Sequence, residues 1–227
     1  MSLPETYLQM LSTVTEAGEL RMELKEQPMP TPKPDQVIVR VEATPINPSD
    51  QGVMFGWSSM GKAKGSGSGA EAVLTAPVPP VGMKTMKARI GQSLPVGNEG
   101  AGFVVAAGDS PAAQALMGKL VAVMGGGMYA QYRCLPAMMC MPLLEEHTAK
   151  DGASCFVNPL TALCFLETMR AEGHKAIVHT AAASNLGQML NHICQADGVD
   201  LVNIVRRPEQ AEILEKIGAK YICDSSS

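Results

Sequence analysis

The stretch that decides the fold is Lys175 to Arg207, KAIVHTAAASNLGQMLNHICQADGVDLVNIVRR. It opens with the apolar run Ala176-Ile177-Val178-His179 and passes through a small-residue turn, Thr180 to Gly187. Leu186, Met189, Leu190, Ile193 and Cys194 then recur at i, i+3, i+4, i+7 and i+8, the period of an amphipathic helix. A second apolar run, Leu201-Val202-Asn203-Ile204-Val205, ends at Arg206-Arg207. Strand, tight turn, helix and strand in this order place a helix N-terminus, with its unpaired N–H groups and partial positive charge, where a dinucleotide pyrophosphate can lie.

The glycine fingerprint of such a turn is degraded, because its three positions are Ala182, Ser184 and Gly187. Ala182 still permits a tight turn, Ser184 offers a hydroxyl to phosphate, and Gly187 lets helix and strand pack closely. With Asn185 and Leu186 between them, these residues form the expected cofactor turn. At the end of the second strand, sites that prefer NAD carry a carboxylate for the ribose 2′-OH. Here Val205 stands there, and the two arginines after it suit a 2′-phosphate, which a guanidinium grips with a fork of donors. NADPH is therefore the expected cofactor. The local pattern alone is equally that of a buried βαβ unit with a solvated basic turn.

The chain of 227 residues is long enough for one large or two small domains. A net charge of -4 and the lack of a basic run argue against a general nucleic-acid or anionic-membrane surface. No uninterrupted apolar run approaches the roughly 20 residues that span a bilayer. The N-terminus has neither a basic region nor an apolar one of the secretory kind, so a cytoplasmic protein is expected. The six cysteines include no C-x-x-C pair, which excludes a zinc ribbon, and Cys164 and Cys194 fall in apolar helical patterns as small core residues.

Upstream the periodicity is different. Residues 1–36 read as a strand pair closed by a link in which Pro28, Pro30, Pro32 and Pro34 alternate. Val37 to Ala43 alternates like a half-buried strand and leads to the turn Thr44-Pro45-Ile46-Asn47-Pro48-Ser49-Asp50. A long insertion, 57–93, contains the flexible-linker composition Gly65-Ser66-Gly67-Ser68-Gly69 and a short helical pattern near Lys84 to Arg89; it reads as a lid, a subunit surface or a mobile loop. Further short strands near Phe103 and Leu120, set between Gly and Pro turns, indicate a compact β-barrel. From Thr148 two helical pieces follow, with a break expected at Asn158-Pro159. The expected domains are residues 1–150 and 151–227.

In this order the chain resembles the zinc-independent branch of the medium-chain dehydrogenase/reductase family, the quinone oxidoreductases and enoyl reductases. The resemblance covers essentially the whole chain. It rests on Asn47-Pro48-Ser49-Asp50, Gly97-Asn98-Glu99-Gly100-Ala101-Gly102, Tyr129-Ala130-Gln131-Tyr132, Val157-Asn158-Pro159-Leu160-Thr161-Ala162 and the Ala-rich turn before Gly187. It implies an α/β chain: a GroES-like β-barrel catalytic domain followed by the first half of a Rossmann doubly wound parallel sheet. It also implies NADPH, Asn47 beside the nicotinamide and substrate, Thr161 helping to place the cofactor, and a homodimer.

Zinc-dependent relatives carry a cysteine in the turn held here by Thr44 to Asn47 and a histidine where Asn98 stands. With both ligands and the four-cysteine lobe missing, no zinc is expected. Hydride transfer to an activated acceptor, a quinone or an α,β-unsaturated carbonyl, is the chemistry that needs no metal. The tyrosine that enoyl reductases carry after the Asn-Pro turn is absent from Phe55-Gly56-Trp57-Ser58-Ser59, where Trp57 instead offers a quinone an aromatic face. That departure disfavours an enoyl-thioester reductase and leaves a NADPH-binding protein without turnover as a further alternative. Family members continue for about another half of the nucleotide domain, so a fragment or an incomplete nicotinamide pocket is expected.

Overall fold

A computed structural model describes residues 3–226 and divides the chain into two compact units, Met1–Cys155 and Phe156–Ser227. The division falls a few residues after the expected boundary at 150. The first unit contains β1 (Thr6–Val14), β2 (Glu19–Pro28), β3 (Gln36–Ala43), α1 (Pro48–Phe55), β4 (Lys64–Ser66), β5 (Val73–Pro77), α2 (Pro80–Thr85), β6 (Ser93–Pro95), β7 (Glu99–Ala107), α3 (Pro111–Gln114), β8 (Leu120–Met124), β9 (Tyr132–Pro136), β10 (Cys140–Pro142) and α4 (Ala149–Gly152). The second contains α5 (Val157–Ala171), β11 (Ala176–His179), α6 (Asn185–Ala196), β12 (Asp200–Val205), α7 (Pro208–Lys216) and β13 (Tyr221–Asp224).

The strands of the first unit form two antiparallel five-stranded sheets, in the orders β4-β5-β2-β1-β6 and β10-β8-β7-β3-β9. Each sheet has its own apolar cluster. Val37, Val39, Val104, Val121, Val123 and Leu135 fill one; Val14, Leu20, Met22, Met54, Ala76 and Val78 fill the other. Gln9 links them as a buried polar side chain, donating to the Gly127 carbonyl at 3.1 Å. Close approach of β7 to β3 requires a residue without Cβ at Gly102, where an added Cβ would lie 1.9 Å from the Arg40 carbonyl oxygen. This crowding explains a glycine-rich strand head that the sequence marks but does not locate.

The structure corrects two expectations about local structure, and a third about the burial of Cys164. The insertion 57–93 is not a structureless loop, since β5 pairs with β2, β6 pairs with β1, and the linker-like Lys64–Ser66 forms the edge strand β4 against β5. Small Gly and Ser residues tolerate an extended edge as readily as a flexible one, so composition did not distinguish the two. The helical break lies between α4 and α5, at residues 153–156, and Asn158-Pro159 sits inside the first turn of α5. A proline there loses no intrahelical bond, because the first N–H groups of a helix have no partner to lose.

In the second unit β11, β12 and β13 form a parallel sheet. Residues of α5 and α6, among them Ala162, Leu166, Leu190 and Cys194, pack with Leu201 of β12, while Leu214 of α7 packs with Ala182 and Val205. Cys194 is buried as expected; Cys164 is exposed, on the outer side of α5. Among the described residues no helix is long and apolar enough to cross a membrane.

Candidate functional site

In the first unit the candidate chemistry gathers around the N-terminus of α1. Asn47 is the N-cap, in extended conformation, and Pro48 starts the helix with its φ already set. Asp50, one turn in, accepts the Asn47 backbone N–H at 2.7 Å on Oδ2 and the Asn98 backbone N–H at 2.9 Å on Oδ1. A carboxylate 1% exposed is costly to bury alone; two backbone donors and the positive end of the helix offset that cost. The Asn47 side chain donates from Nδ2 to Oε1 of the fully buried Glu99 at 2.9 Å, and Asn98 donates from Nδ2 to Ser49 Oγ at 2.9 Å. Two chain segments about fifty residues apart are thus locked together, and both asparagines are oriented.

Tyr129 closes the cluster. Its ring lies against Gly97, where φ is +94° and an added Cβ would come within 2.6 Å of the ring, and its hydroxyl donates to the Pro45 carbonyl at 2.9 Å. Burial and the nearby Asp50 charge push the phenol well above its ordinary range, so it remains a protonated donor. Trp57 lies elsewhere: it is 57% exposed beyond the C-terminal end of α1, and its backbone N–H meets Met86 Sδ at 3.5 Å. An eight-residue helix is about 12 Å long, so the two residues expected to share the catalytic work stand at its opposite ends.

The nucleotide turn of the second unit has the expected form. Ser184 is the N-cap of α6, and its Oγ accepts the Gly187 N–H at 3.1 Å, which leaves the hydroxyl proton able to donate outward. Gly187 has no substitute, since a Cβ would lie 2.2 Å from the Ala182 carbonyl oxygen. A cleft of about 320 Å³ opens between this turn and the end of β12, bounded by Thr180, Ala183 and Ser184 on one side and Arg206, Arg207 and Gln210 on the other. Its lining holds two arginines and no carboxylate, and among the described residues neither guanidinium enters a salt bridge. The Arg206 N–H donates to Gln210 Oε1 at 3.0 Å, and Arg207 caps α7, so backbone geometry fixes where both side chains begin.

Ala182 and Ser184 therefore line the cleft with the arginines, whereas Asn185, Leu186 and Gly187 form the first turn of α6 beside it. Thr161 lies on α5 with its hydroxyl donating to the Val157 carbonyl at 2.6 Å, a bond within its own helix. The donor set of the cleft, an N-capped helix start beside two guanidinium groups that enter no salt bridge among the described residues, fits a phosphorylated dinucleotide. Among the described residues no group of three or more His, Cys, Asp and Glu side chains is arranged to hold a metal ion. Sequence reasoning did not find the bracing roles of Asp50, Asn98, Glu99 and Tyr129. The one local signal was the Asn-x-x-Asp spacing of a capping box at 47–50.

Comparison with known proteins agrees with this architecture. Residues 33–145 match the alcohol dehydrogenase GroES-like domain. Prostaglandin reductase-3 of Mus musculus is 32% identical over 125 residues, which is 54% of this chain and 32% of that protein. A protein of Schizosaccharomyces pombe (strain 972 / ATCC 24843) named "Probable quinone oxidoreductase" is 29% identical over 130 residues, 56% of this chain and 39% of that one. A crystal structure from Mesorhizobium loti named "putative NADPH:quinone reductase" superposes with a TM-score of 0.71 at 30% identity, covering 100% of this chain and 62% of that one. The matched region spans about a third of the length of these two curated relatives, 32% of the first and 39% of the second.

Proposed function

Because the chain belongs to the medium-chain dehydrogenase/reductase family, we propose that it serves a zinc-free, NADPH-dependent transfer of hydride to a quinone or an α,β-unsaturated carbonyl. One observation carries this reading: the cleft beside the Ser184 turn is lined by Arg206 and Arg207 and by no carboxylate. A cleft of that charge favours a 2′-phosphate over a bare ribose hydroxyl. The relatives named as quinone oxidoreductase and NADPH:quinone reductase support the same assignment.

The bound dinucleotide supplies the hydride. This chain's residues grip and orient. Arg206 and Arg207 neutralise the 2′-phosphate, and Ser184 with the first N–H groups of α6 receives the pyrophosphate. Asn47, held through Nδ2 by Glu99, orients the acceptor. Trp57, exposed beyond the C-terminal end of α1, offers the acceptor an aromatic face. Assembly as a homodimer in the cytoplasm completes the proposal.

Steady-state oxidation of NADPH and NADH against a panel of quinones, enones and enoyl thioesters tests it. NADPH turnover with quinones or enones, insensitive to a chelator, is expected. No oxidation of either cofactor with any acceptor sinks the reading. Ser58, where the enoyl reductases carry their tyrosine, donates to Met60 Sδ at 3.3 Å, which disfavours the enoyl thioesters. Binding without turnover is the second reading, favoured by Tyr129, whose proton is already engaged by the Pro45 carbonyl. NADPH fluorescence on titration, read beside the rate, separates the two.

A further inference from the structure

The second unit contains a polar pair that neither the turn nor the arginines account for. Asn203 of β12 is fully buried and Asn191 of α6 is 2% exposed. Asn191 donates from Nδ2 to Asn203 Oδ1 at 2.8 Å and to the Gly187 carbonyl at 3.1 Å. Asn203 donates from Nδ2 to Asn191 Oδ1 at 3.2 Å, and its Nδ2 also lies 3.3 Å from the Leu201 carbonyl and 3.2 Å from the Tyr221 carbonyl of β13. Along β12 the buried positions run Leu201, Asn203, Val205. The first belongs to the apolar cluster under α5 and α6 and the last to the cluster under α7, so the amides sit between two apolar clusters.

Leucine at both positions would fill that space without polar atoms to satisfy, and replacing a buried polar pair by apolar groups of the same shape is often neutral or stabilising. Apolar contacts, however, let a helix slide or turn on a strand at little cost, whereas reciprocal amide bonds allow one register. The bonds reach the two parts of the cofactor cleft. Gly187, whose carbonyl Asn191 holds, gives its N–H to Ser184 Oγ. Asn203 lies on β12 two residues before the strand ends at Val205, with Arg206 next in the chain, and opposite His179, the last residue of β11 before the turn.

We propose that Asn191 and Asn203 are positioning residues whose amide pair fixes the spacing between the Ser184–Gly187 turn and the Arg206–Arg207 end of β12, and with it the preference for a 2′-phosphorylated dinucleotide. The inference rests on the NADPH reading above and adds to it the element that sets the selectivity.

Its test is a binding measurement on the intact chain: calorimetric titration with NADPH, NADH, adenosine 2′-phosphate and adenosine 5′-phosphate. The double variant Asn191→Leu, Asn203→Leu leaves no orphaned amide. It is expected to unfold near the wild-type temperature, to bind NADPH and adenosine 2′-phosphate about tenfold more weakly, and to bind the two ligands without a 2′-phosphate as the wild type does. An unchanged ratio of NADPH to NADH affinity in that folded variant overturns the inference, as does an equal loss for all four ligands. Should the double variant not fold, Asn191→Ser, which puts a shorter hydroxyl donor in place of the amide and leaves room for water beside Asn203, reads the same ratio; retention of the full preference there overturns it equally. If the wild type binds neither dinucleotide, the NADPH reading fails instead, so the two failures are distinguishable.

Discussion

Asp50 and Asn98 are joined across 48 residues of sequence by a 2.9 Å hydrogen bond from the Asn98 backbone N–H to Oδ1, while Oδ2 of the same carboxylate holds the N-cap of α1. One buried side chain thus sets the distance between the turn that presents Asn47 and the head of β7 that presents Glu99. Asp50→Ala orphans two backbone donors at once and is expected to cost about 3 kcal/mol, since an unmet buried group costs about 1–3 kcal/mol. Urea unfolding measures the loss. A loss below about 0.5 kcal/mol would show that water replaces the carboxylate without penalty.

Gly187→Ala is a sharper probe of the second unit. The new methyl would sit 2.2 Å from the Ala182 carbonyl oxygen, a backbone atom that cannot swing away. The start of α6 must retreat from the turn at Ala181–Ala182, at about 1–3 kcal/mol for overpacking, and NADPH binding is expected to disappear before the fold does. Thermal unfolding with and without NADPH separates the two effects.

The arginines make a selective prediction. A hydrogen bond to a charged group contributes about 1.5–3 kcal/mol, so Arg206→Ala should weaken NADPH by about tenfold or more and leave NADH nearly unchanged. Arg207→Ala should act in the same direction. Equal losses for both cofactors in each variant would remove the 2′-phosphate from the explanation.

His179 gives the pH dependence. Burial holds its imidazole below the ordinary 6.5, and among the described residues Nε2 is buried without a hydrogen-bond partner. The folded state therefore disfavours the charged ring. Well above pH 6.5 the ring is neutral whether folded or not, and its contribution is intact; as pH falls through 6.5 the unfolded chain takes up a proton the folded one resists, and stability drops. His179→Phe should flatten the loss of stability between about pH 7 and 5, within the range over which histidine titrates. Denaturant midpoints across that range check it, and an unaltered slope in the variant assigns the acid loss elsewhere.

The parts of this molecule that were legible from sequence are those in which local period and local turn chemistry agree. Ile177, Leu190 and Leu201 recur as a strand–helix–strand pattern requires, and the structure places all three in the apolar cluster between β11, α6 and β12 or against it. The cofactor turn was legible despite two missing glycines, because Ala182 and Ser184 are small enough to keep its path. What was not legible depended on partners distant in sequence. Asn47 and Glu99 meet across 52 residues, and nothing near either predicts the other. Asn203 stands within an apolar run and Asn191 within an amphipathic helix, twelve residues apart with no local signal joining them; only the packing of α6 on β12 makes them a pair. Pro159 and the Gly-Ser stretch misled for the opposite reason, since proline in a first helical turn and glycine on a sheet margin are both permitted where their average behaviour forbids them.

The margin itself has a further effect. β4 is three residues long and exposed throughout, and it covers one side of β5, whose Val73-Leu74-Thr75-Ala76-Pro77 has the aliphatic and β-branched composition that neighbouring molecules stack on. Lys64, Gly65 and Ser66 give such a neighbour a charge and two nearly bare backbone units instead of a sticky surface. The segment that looks most dispensable is therefore a guard against clumping, and trimming it to tidy the chain would be repaid in precipitate.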